Sequence, residues 1–260
     1  MAEVAASGKG TRPEGTQTEA EASRKVREMF TQIAPRYDLL NHLLSLQFDR
    51  LWRARAAKRL RGVFTRSETR VLDLCCGTGD LALAINRRYR TQVIGVDFAH
   101  SMLVRAQKKG DGLQGTNSIQ RGGITLVEAD ALRLPFADGS FDVVTSAFGF
   151  RNLANYEEGL KEIRRVLKPG GTVAVLEFTE PAPGVLGDMY RWYCRKVLPR
   201  IGGLLSGDHN AYKYLPASVA RFFRPEELAS LMSKVGYGAV EYQLWTVGTV
   251  ALHTGRKETN

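Results

Sequence analysis

Apolar positions along this chain change their spacing in a way that divides it into two parts. From about Ser23, Val26, Met29, Phe30 and Ile33 recur three or four residues apart, which predicts one helical stripe that Pro35 stops. A second amphipathic segment runs through Tyr37, Leu40, Leu43 and Leu44. A third places Leu51, Trp52 and Leu60 on one side, with Arg50, Arg53, Arg55, Lys58, Arg59 and Arg61 around the rest. Beyond Val71 the stripes give way to short, mostly apolar runs at Val71–Leu74, Val93–Val96, Ile124–Val127, Phe141–Ser146 and Thr172–Phe178. Runs without alternation suit strands buried on both faces, and the helical segments between them, such as Ser101–Lys109 and Glu157–Leu167, suit βαβ crossovers.

The last third of the chain departs from this rhythm. Residues 180–222 interrupt the alternation and predict a helical insertion after strand five. Pro225, Glu226 and Glu227 then open a helix with proline at its first position and acids in its first turn, ending at Gly236. Val240–Trp245 and Thr249–His253, separated by a turn around Gly248, predict an antiparallel hairpin. Five parallel strands closed by such a hairpin make a seven-stranded, mostly parallel α/β sheet, an arrangement common among methyltransferases and unusual in dinucleotide dehydrogenases. The helices before the first strand form an N-terminal cover over residues 23–62.

Composition adjusts this picture in three places. Residues 1–22 carry no apolar run and read as a disordered tail, leaving 23–260 as one domain. They contain neither the apolar core of a signal peptide nor the acid-poor composition of a transit peptide, and no stretch is long and apolar enough to span a bilayer. A cytoplasmic protein with at most a peripheral hold on the membrane is expected. Cys75, Cys76 and Cys194 fit no disulfide framework or metal spacing, and His42, His209 and His253 lack ligand partners, so no metal is expected. The formal net charge of +10 favours an anionic surface, either lipid headgroups or nucleic acid.

The most informative chemistry follows the first run. Val71–Leu74 breaks into Cys-Cys-Gly-Thr-Gly-Asp, and the second run ends at Asp97, where nucleotide-binding α/β folds place a carboxylate for two ribose hydroxyls. Gly77, Thr78 and Gly79 form the turn. The segment also satisfies the dinucleotide fingerprint in its alanine-ended form, but Asp80 opens the next helix where a pyrophosphate needs an uncluttered positive end. S-adenosylmethionine has no phosphate, and its ammonium suits carboxylates such as Asp73 or Asp80. A class I S-adenosylmethionine-dependent methyltransferase fold is therefore the expectation. Donor residues belong at the carboxyl ends of the strands, which selects Asp130 and Ala131 for the adenine and Ser146 for the sulfonium end. Phe148-Gly-Phe-Arg-Asn152 follows as the floor of an acceptor pocket, with Arg151 as oxyanion stabiliser and Asn152 facing an aromatic hydroxyl.

Two basic stretches admit more than one reading. The Arg50–Arg61 run suits either a solvated helix face or an anionic surface. Tyr190–Arg200, where Trp and Tyr alternate with Arg and Lys, suits a helix packed on the core, a helix at a lipid interface, or a stacking surface for RNA.

Over about residues 25–256 the chain resembles the menaquinone and ubiquinone biosynthesis C-methyltransferases. The specific matches are Phe30-Thr-Gln-Ile-Ala-Pro-Arg-Tyr-Asp-Leu-Leu-Asn41, Leu51-Trp52, Phe148-Gly-Phe-Arg-Asn152, Arg165-Val-Leu-Lys-Pro-Gly-Gly171, Leu176-Glu-Phe178, Val197–Gly202 and Tyr212–Ser218. It departs in Cys75-Cys76, in a longer loop at 110–123, and in Arg221-Phe222-Phe223 where related chains tend to carry Phe-Pro. The resemblance implies methyl transfer from S-adenosylmethionine to a ring carbon of a reduced polyprenylated quinone, demethylmenaquinol or its benzoquinol counterpart. It assigns Thr78, Asp97, Asp130, Ala131 and Ser146 to the donor. Tyr37 and Asn152 would position the ring beside Arg151, with a water or His209 as base. An anionic membrane surface is the expected partner and nucleic acid is not, while an RNA methyltransferase and a non-catalytic quinone-handling protein are the rivals. Whether the chain forms a homodimer is left open by its sequence.

Overall fold

Strands that are apolar on both sides require two covers, and the chain supplies them. The computed structural model describes residues 10–38, 45, 47–65, 68–111, 123–181, 184–193 and 217–259. Seven strands, β1 (Val71–Leu74), β2 (Val93–Asp97), β3 (Ile124–Glu128), β4 (Phe141–Ala147), β5 (Leu167–Phe178), β6 (Tyr237–Trp245) and β7 (Val250–Lys257), form one sheet in the order β3-β2-β1-β4-β5-β7-β6. The first five run parallel, with Val71 opposite Val93 and Val143. β7 pairs antiparallel to β5 and to β6, as the hairpin requires.

Period-two alternation sends successive side chains to opposite layers. Leu72, Leu74, Val144, Val173 and Val175 pack under α6 (Tyr156–Val166) and α8 (Pro225–Lys234). Val71, Val143, Ala174 and Leu176 pack under α2 (Phe48–Arg59), α3 (Arg61–Phe64) and α4 (Asp80–Tyr89). The remaining helices are α1 (Glu19–Ile33), α5 (His100–Asp111) and α7 (Val185–Trp192). Ala34–Arg36, which includes Pro35, is a 3-10 turn closing α1.

Three expectations change. Helix α1 begins at Glu19, where Thr18 accepts from the Glu21 amide at 3.2 Å and the Glu21 carboxylate accepts from the Thr18 amide. Upstream, the Thr11 amide donates to the Leu153 carbonyl at 2.7 Å and Arg12 Nη1 to the Ala154 carbonyl at 2.7 Å. Residues 10–22 are thus ordered rather than a free tail. Their anchorage comes from backbone bonds to a distant loop, which composition does not register. In α2 the inner stripe is Trp52, Ala56, Ala57 and Leu60, while Leu51 is 59% exposed. Arg53 lies inside, because Asp49 one turn earlier pairs with it.

Residues 39–44 of the second amphipathic segment, the loop at 112–122 and most of the insertion (182–183 and 194–216) lie outside the described residues, with Cys194, His42 and His209. Among the described residues no helix is long and apolar enough to cross a membrane, and no His, Cys, Asp and Glu side chains cluster as metal ligands.

Candidate active site

A cleft of about 640 Å³, open to solvent, sits beyond the carboxyl ends of β1, β2, β3 and β4. Its position follows from topology: β1 connects outward to β2 on one side and neighbours β4 on the other, which leaves a crevice at the switch point. The donor turn is built from three left-handed residues, Cys75 (φ 53°), Gly77 (φ 55°) and Gly79 (φ 80°). Asp97 braces it: one carboxylate oxygen accepts from the Gly77 amide and the other from the Ala99 amide, each at 2.9 Å. Burial lifts the Asp97 pKa to about 6 against the pull of those amides.

Tyr37, Gly77, Asp97, Asp130, Ala131 and Asn152 all line this cleft, as the sequence predicts. One Asp130 oxygen also accepts from the Leu132 amide at 2.9 Å, so it caps its turn as well as facing the cleft. Four predicted residues are elsewhere. Gly79 packs α4 on α5, where an added Cβ would stand 3.1 Å from the Ala106 Cβ. The Thr78 hydroxyl donates to Asp38 at 2.5 Å and accepts from Lys109 at 2.7 Å. Lys109 also binds Asp38 and Asp80, at 2.8 and 2.7 Å, tying the segment after α1 to the donor turn. Ser146 is buried beside a small cavity lined by α2 and α4 and does not line the cleft.

Arg151 carries the largest correction. Its side chain is 6% exposed and turned into the protein, with Nη1 donating to the Phe148 carbonyl and to Glu177 at 3.1 Å, and Nε donating to Ser218 at 3.3 Å. It does not line the cleft. Nor do the carboxylates expected near an ammonium: Asp80 is held by Lys109, and Asp73 is buried with one oxygen bonded to Thr145. Desolvation raises the Asp73 pKa to about 7.

The sequence reading missed the walls. Ser23 and Phe30 of α1, Leu153 and Ala154 of the loop before α6, and Met102 and Leu132 complete the lining, with Phe30 and Met102 packed in one cluster with Phe98, a strand-end residue the sequence does point to. Phe30 stood on the predicted stripe; nothing in the stripe said that it faces a ligand. Phe148, with φ 62°, joins an aromatic set with Phe178 (4.5 Å between ring centres) and Trp52 (6.0 Å). Gly149 allows this loop to approach β1, since a Cβ there would come within 2.4 Å of the Cys75 Cβ. Burial pushes the Cys75 and Cys76 thiols well up, which makes them poor nucleophiles.

Among the described residues the lining contains two carboxylates and neither lysine nor arginine. That lining suits a nucleoside carrying positive charge better than a pyrophosphate. A turn braced on Asp97 beside apolar walls is a fit for S-adenosylmethionine.

The ubiE/COQ5 methyltransferase family model matches residues 17–257. The chain belongs to that family. A demethylmenaquinone methyltransferase of Thermus thermophilus is 49% identical over 87% of this chain and 99% of its own, and one of Deinococcus radiodurans is 47% identical over 89% and 92%. A ubiquinone/menaquinone biosynthesis C-methyltransferase of Geobacter sulfurreducens is 43% identical over 91% and 90%. Among solved structures, an S-adenosylmethionine-dependent methyltransferase of Thermotoga maritima superposes with a TM-score of 0.61 at 24% identity, covering 90% of this chain and all of that one. The [4+2]-cyclase SpnF gives 0.66 at 18%, covering 98% and 100%. That a cyclase shares the fold leaves the chemistry to the site.

This member of the ubiE/COQ5 family is accordingly a methyltransferase that uses S-adenosylmethionine. Asp97 and Gly77 line this cleft together with the apolar Met102, Ala131 and Leu132, and these are the residues that would hold the donor there. When bound, the donor supplies an electrophilic methyl group on a sulfonium.

Proposed function

We propose that the protein methylates a ring carbon of a reduced polyprenylated quinone, with demethylmenaquinol as its acceptor. The observation that carries this reading is near-full-length identity of 47–49% to two relatives named for that substrate. The geometry supports it: Tyr37 and Asn152 put an aromatic ring and an amide against the donor turn, and Phe148 closes the cleft toward β5. Ring carbon is a weak nucleophile until a neighbouring hydroxyl ionises and delocalises charge onto it. A bond then forms from that carbon to the methyl as the carbon–sulfur bond breaks, and the ring loses its proton to restore aromaticity. The cleft's contribution is to hold the ring in line and to exclude water. Asn152 is the residue in reach of a ring hydroxyl; Arg151 acts behind it, by fixing the loop.

Purified protein should transfer a labelled methyl group from S-adenosylmethionine to a short-chain demethylmenaquinol under reducing conditions. Mass spectrometry of the product reads the outcome. Transfer to the benzoquinol counterpart at a higher rate would reassign the ring, and transfer to transfer RNA with none to either quinol would replace the reading.

A polyprenyl tail lies in the bilayer, so the protein must meet its surface. Phe48 and Leu51 on α2 stand exposed beside Arg50, and Val185, Met189 and Trp192 make an exposed stripe on α7. Apolar side chains next to cations suit an anionic interface. The protein should float with anionic liposomes at low salt and be released as salt rises, since the attraction decays over about 8 to 10 Å at physiological ionic strength. Leu51→Asp with Trp192→Asp should weaken flotation while leaving donor affinity intact. Absence of lipid association at low salt would count against this surface. Arg195, Lys196 and Arg200 of the second basic stretch lie outside the described residues.

A further inference from the structure

Among the described residues, Glu177 is the one acid at the donor end of the sheet with no solvent exposure at all, and no step of the reaction calls on it. Every contact it makes leads to one place. Its carboxylate accepts from the Arg151 amide at 3.1 Å, from Arg151 Nη1 at 3.1 Å and from the Phe178 amide at 3.1 Å. Arg151 Nη1 in turn donates to the Phe148 carbonyl, and the Tyr156 hydroxyl donates to the Arg151 carbonyl at 2.8 Å. Phe148 has a left-handed backbone, an arrangement that a bulky residue holds only when its surroundings impose it. Phe148, Gly149 and Asn152 are the part of this loop that lines the cleft.

We infer that Glu177 is a positioning residue for the acceptor, acting through Arg151 to hold Phe148 and Asn152 against the reacting ring. The carboxylate organises the loop from below: it pins one end through the Arg151 amide and the other through the guanidinium that caps Phe148. Burial raises the Glu177 pKa while the adjacent guanidinium opposes the rise, as expected of an acid kept for its partner rather than for proton exchange. The donor turn is braced independently, by Asp97. Loss of Glu177 should therefore fall on the acceptor side of the cleft. This inference rests on the acceptor being a quinol that sits on the Phe148–Asn152 loop.

The test compares wild type with Glu177→Gln and Glu177→Asp. Misplacing a catalytic loop by about 1 Å lowers rate about a hundredfold, so Glu177→Gln should lose about that factor in kcat/KM for a short-chain demethylmenaquinol. Its Kd for S-adenosylmethionine should stay within about twofold, since one tenfold step already corresponds to a lost contact. Glu177→Asp, which keeps the charge and shortens its reach, should recover part of the rate, and it serves the test if Glu177→Gln does not fold. Hydrogen exchange read by mass spectrometry should quicken in the peptide covering Phe148–Asn152 and not in that covering Cys75–Asp80. A lower melting temperature with unchanged kcat/KM and unchanged exchange in the loop would mark Glu177 as structural only and overturn the inference. Exchange needs no acceptor, so a wild-type protein that ignores the quinol would defeat the substrate reading while the loop's exchange still decides whether Glu177 holds it.

Discussion

Arg151→Ala should unfold more readily than wild type by about 3 to 5 kcal/mol, because it strands the Glu177 carboxylate in the interior with its cation removed. For a chain of this size that is a drop in melting temperature on the order of 10 °C. An arginine in direct contact with a quinolate, as the sequence alone suggests, predicts lost turnover and an unchanged fold. The buried pair predicts damage to both. Replacing the two charges together by apolar residues of similar size, Arg151→Met with Glu177→Leu, should regain most of the stability, since neither half is then left unpaired. Turnover should not return, because the cap on the Phe148 carbonyl is gone. The pH dependence has a definite sign. Without Arg151 the Glu177 pKa rises further above its ordinary 4.5, so the penalty of ionising it is absent at low pH and grows as pH rises. The gap to wild type in a thermal melt should accordingly narrow below about pH 4.5. An Arg151→Ala protein that melts like wild type at neutral pH would show that Glu177 finds another partner.

What could be read from the sequence divides along the line between backbone and tertiary placement. Unalternating runs forced strands with two covers, and proline, glycine and acid positions set the ends of α8 and the hairpin; these are local signals and they held. Asp97 and Asp130 were legible because strand ends in a parallel sheet are fixed in space once the order of strands is known. Ser146 was misplaced because the position of a strand end does not say whether a side chain there reaches the cleft or is buried beside the helices that cover the sheet. Thr78 and Lys109 are 31 residues apart and meet only through the fold.

Arg151 and Glu177 show the limit most sharply. Both lie within motifs that the sequence singles out, and the ion pair between them spans 26 residues, from the 3-10 turn after β4 to the end of β5. An arginine beside a predicted ligand site reads equally well as a ligand or as a clamp until its partner is seen. The N-terminal residues teach the converse. Residues 10–16 bury no core of their own, and the Thr11 and Arg12 bonds to Leu153 and Ala154 order them through someone else's backbone.

Donor affinity should fall as pH drops through 6, and Asp97 is the reason. Burial lifts its pKa from an ordinary 3.8 to about 6, so in the free protein it begins to take up a proton just below neutrality. Its charged form offers acceptors to the Gly77 and Ala99 amides and to two vicinal ribose hydroxyls; the neutral form gives one of those acceptors away. At pH 5 the Kd for S-adenosylmethionine should be about tenfold weaker than at pH 7.5, one pH unit below the pKa being a factor of ten. The linkage to folding runs in the opposite direction. A raised acid pKa means that the folded chain holds the proton more tightly, so this part of the stability is complete below pH 3.8 and is lost as pH rises through 6. The free protein should therefore gain more from the donor at pH 7.5 than at pH 5, as a larger rise in melting temperature at the same ligand concentration. Asp97→Asn should flatten the pH dependence at the weak-binding level. Asp97→Ala leaves the two amides unpaired and should weaken binding by about 1 to 3 kcal/mol at neutral pH. Calorimetric titrations of all three proteins from pH 5 to 7.5 decide it: a wild-type Kd that does not change across that range would remove Asp97 from the ribose.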